Sequence, residues 1–394
     1  MNNRRDFIKQ LAGGAAVLSV PALLSFAKEN NFPVRAITKG PKFHWFGYYD
    51  KLQFDPTNRF VLCMEVDFEM RSPTKNDVIK MGYIDLQDND KWTTIGESRS
   101  WGWQQGCMLQ WIPGSDSKVI WNDRLGDKFI SIIKDIKTGE TKELENAIYA
   151  VSPDGKSAIG TDFARIQNYR KGYGYPGGID PYKHQNAPKN SGIYKIDLES
   201  GKAKLILSYK QISEIPNAGE DISEKWHYFN HLLVDTVGDR FIFLNRWRDK
   251  PIDDEVLANP EEYNKIRNNY TTRMFTAGMD GKDVYLLDPS GKTSHFIWKD
   301  PQHITAWTRP IGKESGFWEF EDKTTNIRRV GKGVMIHNGH NTFLPVTNTE
   351  WILNDTYPLG KERLQTPYLY HEKSNTRIDL GHFHEPEEYT GEWR

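Results

Sequence analysis

The sequence predicts an all-β fold of the β-propeller kind, and three observations predict it. A strand–turn–strand unit recurs at intervals of roughly 40 to 60 residues, the spacing of blades in a repeat protein. A second hairpin, with a turn of the Asp-Leu-x-x-Gly-Lys type, alternates with the first. The chain is also rich in aromatics, with 13 Trp, 18 Tyr and 19 Phe in 394 residues, and such side chains suit sheets buried on both faces.

The first unit is an apolar run, a polar turn and a β-rich run. It reads Leu52-Gln53-Phe54-Asp55-Pro56-Thr57-Asn58-Arg59-Phe60-Val61-Leu62 and returns at Leu109 to Trp121 and at Ala150-Val151-Ser152-Pro153-Asp154-Gly155-Lys156. Weaker copies run from Leu232 to Phe243, Phe296 to Trp307 and Thr342 to Leu353. The second unit is seen at Tyr83 to Leu86, Ile133 to Gly139, Tyr194 to Lys202 and Tyr285 to Lys292. Turns rich in Gly, Asp, Asn and Pro are what hairpins require. Two hairpins per unit make a four-stranded blade, and six copies are visible. A β-sandwich would also be all-β, but it would not need the same turn chemistry to recur in register.

Two insertions break the pattern. Arg165 to Asn190 is rich in Gly, Tyr, Pro and Asn; Asp249 to Asn269 is charged and reads as helical around Glu261 to Arg267. Long loops on a repeat scaffold concentrate on the functional face.

Residues 1–27 read as a twin-arginine export signal. Asn3-Arg4-Arg5-Asp6-Phe7-Ile8-Lys9 precedes an apolar stretch from Leu11 to Ala27, with a small-x-small site at Ser25-Phe26-Ala27. An uncleaved anchor is the competing reading, but the stretch is short of the ~20 residues a stable span needs. One β-propeller domain over 33–394, in the periplasm or secreted, is therefore expected, with no stable membrane insertion once the signal is removed. The formal net charge of −1 gives no global field for nucleic acid or anionic lipid. Cys63 and Cys107 allow one disulfide in an oxidising compartment but make no disulfide scaffold.

The histidines cluster just before or at the start of the first-unit copies: His227 and His231, then His295, then His337 and His340. Equivalent positions in a propeller converge on the central channel, where imidazoles can hold a divalent transition metal. Their spacing alone is no metal signature, since such pairs also serve as hydrogen-bonded core residues. Tyr173 and Tyr175 lie in Gly172-Tyr173-Gly174-Tyr175-Pro176-Gly177-Gly178, where glycines permit close approach of a ligand. The same loop reads equally as rigid packing. Arg165, Arg170, Arg246 and Arg248 are candidates for holding a carboxylate or sulfate in a guanidinium fork. Gln104, Gln105, Asn122 and Arg124 flank the second blade and can line the same mouth. No nucleophile elbow, phosphate loop or dinucleotide fingerprint occurs, so no organic cofactor is expected.

Several stretches are together similar to one superfamily: Phe43-His44-Trp45-Phe46-Gly47-Tyr48-Tyr49-Asp50-Lys51, Gln104 to Trp111, Thr272 to Ala277, and Gly339-His340 through Asn354-Asp355-Thr356-Tyr357-Pro358. It contains the oligogalacturonate lyases and ulvan lyases. The resemblance implies a seven-bladed β-propeller that cleaves a uronic-acid glycan by β-elimination, as a monomer acting on an anionic oligo- or polysaccharide. It implies a base that removes the C5 proton, a group that neutralises the uronate carboxylate and an acid that protonates O4. The matching catalytic candidates are Tyr173, Tyr175 and Tyr228, with Arg246 for the carboxylate. Gln105, Asn122, Arg124, Arg165 and His227 are candidate substrate contacts. For a divalent metal (Mn, Zn or Ca), His231, His295 and His340 fall at matching places, and His337 stands where a glutamine is expected. Two departures matter. Gln105 and Asn122 occupy a region where ulvan-type histidines are expected, and related chains run past the stretch resembling Gly391-Glu392-Trp393-Arg394 into one more blade. The last blade is thus expected to be missing or built from both termini. A propeller-type α-L-rhamnosidase acting on rhamnose–glucuronate linkages and a non-catalytic glycan-binding propeller are the alternative readings.

Overall fold

The computed structural model describes residues 32–345, 348–389 and 391–393; the export-signal reading lies outside them. Six four-stranded antiparallel sheets follow one another along the chain. The first is β1 (Phe43–Trp45), β2 (Phe60–Val66), β3 (Ile79–Asp85) and β4 (Lys91–Ser98). The second is β5 (Gln110–Trp111), β6 (Lys118–Leu125), β7 (Lys128–Asp135) and β8 (Thr141–Leu144); the third is β9 (Ala150–Val151), β10 (Ser157–Thr161), β11 (Gly192–Asp197) and β12 (Ala203–Ser208). The fourth is β13 (Trp226–Val234), β14 (Arg240–Arg248), β15 (Thr271–Gly278) and β16 (Tyr285–Asp288); the fifth is β17 (Phe296–Trp298), β18 (His303–Thr308), β19 (Gly316–Glu321) and β20 (Ile327–Arg329). In the sixth, β21 (Thr342–Phe343) and β22 (Trp351–Asn354) join β24 (Tyr368–His371) and β25 (Thr376–Asp379), while β23 (Leu364–Gln365) pairs apart with β26 (Phe383–His384). These are the six blades of a β-propeller, each in up-and-down order. The described residues contain no seventh.

All six copies of the first unit are hairpins between the inner and second strands. Their aspartates explain why the turn recurs. Asp55 accepts the backbone N–H groups of Arg59 and Phe60 at 2.8 and 2.7 Å, and Asp235 accepts those of Val237, Gly238 and Asp239. Each carboxylate thus satisfies several turn donors at once. Three copies of the second unit are the turns between third and outer strands. The fourth, Tyr285 to Lys292, is not: it covers β16 and the exit toward the next blade, and the matching turn is Met279-Asp280-Gly281-Lys282.

Because the strands alternate in direction, two kinds of connection share one face: those between second and third strands and those that enter each inner strand. Both insertions are of the first kind. Arg165 to Asn190 begins inside a helix, Phe163–Tyr169, capped by the Asp162 side chain. Asp249 to Asn269 folds as two short helices, Asp254–Ala258 and Pro260–Ile266, the second in keeping with the helical expectation. Gln105, Tyr149, His295 and His340 precede the inner strands of their blades on that same face, and Tyr49, which follows β1, packs against His295 and His340 there.

Buried apolar clusters join the first blade to the second, the second through the fourth, the fourth to the fifth and the fifth to the sixth. Among the described residues no such cluster joins the sixth blade to the first. That seam is polar: the Tyr389 hydroxyl donates to Glu69 at 2.6 Å, Gln104 donates to the Glu392 carbonyl at 2.9 Å, and Tyr48 and Tyr49 pack on His340.

Cys63 and Cys107 are buried free thiols in and beside the first two blades. Burial pushes the Cys63 thiol up to about 12 and raises Cys107 as well. Neither is poised as a nucleophile. No helix among the described residues is long and apolar enough to cross a membrane.

Candidate functional site

Three imidazoles meet at the channel mouth. His295 and His340 lie with ring centroids 4.2 Å apart. Tyr49 packs on both, at 5.8 and 5.0 Å, and on His231 at 5.7 Å. His231 reaches the cluster because β13 bulges between Asn230 and Leu233, and it takes φ +53 there. A left-handed β-strand residue costs about 1–2 kcal/mol, and such strain gathers at functional positions. Gly339 lets the neighbouring chain through: a Cβ there would stand 2.0 Å from the Asp355 carbonyl oxygen.

Each ring is oriented by a second group. His340 Nδ1 lies 2.9 Å from Asp355 and its backbone N–H donates to the same carboxylate. His295 Nδ1 lies 3.1 Å from the Asn338 side-chain oxygen. In both rings it is Nδ1 that is anchored, which leaves Nε2 for other partners. The Tyr49 hydroxyl donates to the Phe296 carbonyl at 2.7 Å, so at 3.2 Å it accepts from His231 Nε2–H. Burial lowers His231 and His295 well below the ordinary imidazole range, so both are neutral at physiological pH.

The histidines expected to bind metal are thus three together and one apart. His337 is outside the cluster, and its neighbour Asn338 makes the contact with His295 instead. His231 Nε2 carries a proton toward Tyr49, and no group of three His, Cys, Asp or Glu among the described residues is disposed to hold an ion. The residues do not fit a metal as they stand, so no chemistry is assigned to one.

A cationic pocket adjoins the cluster on the same face. The Arg170 guanidinium lies 3.7 Å over the Tyr173 ring and 5.0 Å from the Tyr270 ring, and Arg246 covers Tyr270 at 4.8 Å. Tyr228 and Arg246 are cross-strand partners on β13 and β14. Arg246 is almost fully buried, yet its Nε and Nη1 have no hydrogen-bond partner among the described residues; nor has the buried Tyr228 hydroxyl. Burial raises the Tyr228 phenol, with Arg170 and Arg248 pulling partly against it. Arg170 also helps hold His231 and His295 neutral, so the two halves share one electrostatic field. A cavity of about 590 Å³ over the cluster is lined by Tyr48, Tyr49, His340 and Asp355, with Trp45 and Trp103 as aromatic walls.

Several sequence candidates are structural instead. Tyr175 is buried, stacked 4.3 Å from Phe163, with its hydroxyl accepting from Asn122. Asn122 also donates to the Ile148 carbonyl, and its side-chain oxygen accepts from the Ser131 hydroxyl and the Ile148 backbone N–H. Gln105 is spent on the Tyr149 hydroxyl at 2.7 Å. Arg124 clamps the carbonyls of Lys75 and Gly126. Arg165, fully buried, pairs with Asp180 and donates to the carbonyls of His227, Tyr182, Gln185 and Asn186. Arg248 does the same for the second insertion, through Tyr169, Ile266, Asn269 and Arg267. His227 is a core histidine between the Ile222 carbonyl and Asn245. Tyr49, Asp355 and Asn338 gained no role from the sequence, although the first two lie in the motifs that carried the resemblance and Asn338 adjoins His337.

The buried neutral histidines set a pH dependence. Burial lowers His227 to about 4, whereas an unfolded imidazole titrates near ~6.5. Below about pH 6.5 the unfolded chain takes up the proton first, so stability falls as pH drops toward 4. The loss from His227 alone should be about 2.5 kcal/mol, read from urea unfolding at pH 7.5 and 4.5. Equal stability at both would refute it.

No protein-family model matches the sequence, and no curated protein sequence does either. Among solved structures, oligogalacturonate lyase from Vibrio parahaemolyticus is similar with TM-score 0.54 and 12% identity, over 88% of this chain and 80% of its own. TolB from Acinetobacter baumannii gives 0.42 and 14%, over 78% and 60% of the two chains. Tricorn protease gives 0.49 and 10%, over 88% of this chain and 32% of that one. At such identity the first likeness speaks for architecture alone: this chain is a β-propeller, folded like the lyase it is similar to.

Proposed function

We propose that the protein is a lyase that cleaves a uronate-containing poly- or oligosaccharide by β-elimination. The observation that carries this reading is the pair of unspent buried groups, the Arg246 guanidinium and the Tyr228 hydroxyl, beside neutral imidazoles. A buried guanidinium with two nitrogens unpaired among the described residues is costly unless an anion arrives. A carboxylate held by Arg170 and Arg246 loses its charge penalty toward the enolate, and its C5 proton becomes acidic. His340, oriented by Asp355, takes that proton at Nε2. The C5–H electrons form the C4–C5 double bond, the C4–O4 bond breaks, and O4 leaves with a proton from a phenol. Tyr173 is the best-placed donor: it is half-buried, and the Arg170 guanidinium lies 3.7 Å over its ring beside the site proposed for the carboxylate. Trp45 and Trp103 offer stacking faces for neighbouring sugars.

The test is a panel of uronate glycans read two ways, by near-ultraviolet absorbance and by released monosaccharide. The expected result is an absorbing unsaturated uronate. Free rhamnose without absorbance would make the protein a rhamnosidase. A shifted melting temperature with no product would make it a binding propeller. Either outcome overturns the lyase reading.

A further inference from the structure

The pocket below Arg170 already contains a carboxylate. Its cavity, about 460 Å³, is lined by Ser72, Arg170, Lys171, Tyr173, Arg267 and Glu392. Three of these are cations, and Glu392 is the one anion. Its carboxylate is mostly buried, accepts from the Ser72 hydroxyl, and leaves Oε2 without a hydrogen-bond partner among the described residues. Lys171 and Arg267 act on it only at longer range, and burial raises its pKa. Space is reserved for it: a Cβ on Gly172, which has φ +89, would stand 2.4 Å from Oε2. Its backbone carbonyl accepts from Gln104, which also accepts from Tyr173 at 3.3 Å. The segment Gly391–Trp393 thus lines the cationic pocket through Gly391 and Glu392, and the Gln104 that holds its backbone also lines the imidazole cavity.

A carboxylate in a cationic pocket with one hydrogen-bond partner is poorly compensated for its lost hydration. A better-paired anion would displace it cheaply. We infer that Glu392 is an internal competitor, holding the place of an acidic ligand's carboxylate until the ligand displaces the segment. This rests on the proposed carboxylate pocket but does not need the lyase chemistry.

A competitor that fills the pocket nine-tenths of the time weakens apparent affinity about tenfold. The experiment titrates D-glucuronate, with D-glucose as its uncharged counterpart, into the wild type, Glu392→Ala, Glu392→Gln, and Glu392→Ala combined with Arg170→Met, followed by calorimetry. Both single variants should bind glucuronate at least about fivefold more tightly, glucose should not respond, and the double variant should lose the gain. Equal affinity in wild type and Glu392→Ala, still dependent on Arg170, overturns the competitor and leaves the pocket standing. A gain in Glu392→Ala alone means that bulk rather than charge blocks entry, and overturns the mimicry. Glucuronate binding to none of the proteins overturns the pocket and the competitor together.

Discussion

Arg246→Met should abolish turnover on whichever glycan the panel identifies, by about a thousandfold in kcat/KM, while the melting temperature holds or rises. Both halves follow from the same observation. The guanidinium is buried, and two of its nitrogens have no partner among the described residues, so the folded protein bears a desolvation cost that methionine removes. The same nitrogens are then the ones free to meet a substrate carboxylate. A structural arginine would behave in the opposite way, losing stability together with activity. Tyr175→Phe is the comparison: its hydroxyl serves Asn122, so activity should stay within about threefold of the wild type. Retained activity in Arg246→Met, or a fall in its melting temperature, would remove this residue from the site.

Arg165→Met should lose about 3–5 kcal/mol of stability, measured by urea unfolding at pH 7.5. Arg165 and Asp180 are a fully buried ion pair. Without the guanidinium, Asp180 faces Asp162, whose carboxyl is already raised to about 6 by burial and by Asp180. Four backbone carbonyls lose a donor in the same step. The first insertion would come loose from β13, and with it the loop that carries Arg170 and Tyr173. A loss under about 1 kcal/mol would show that the clamp is not what holds this insertion down.

These two arginines explain how far the sequence could be read. The hairpins were legible because turn chemistry is local: an aspartate that caps its own turn announces itself within a few residues. The misplaced copy at Tyr285 to Lys292 has the same composition as a hairpin turn but connects two blades, a difference that only pairing resolves. Arg165 and Arg246 have the same side chain and the sequence offers both as candidates for an oxyanion, yet one is spent on carbonyls and the other has two nitrogens unpaired among the described residues. That distinction depends on which distant oxygens arrive. For the same reason His337 attracted attention as a ligand while its neighbour Asn338 makes the contact, and Asp355 was invisible as the partner of His340, lying on another strand connection of the same blade. The burial of Tyr175 follows from its stacking on Phe163, a contact with no mark in the glycine-rich motif around it.

The polar seam gives the ring a clasp. Five junctions are sealed by apolar surface, which neither tightens nor loosens much with what is bound nearby. The sixth is made of hydroxyls, carboxylates and imidazoles, and the imidazole cavity opens across it, with Tyr48 and Tyr49 from one side and His340 and Asp355 from the other. An occupant of that cavity touches both ends of the circle. It would fasten the first blade to the last, so part of its binding energy would go into keeping the propeller round.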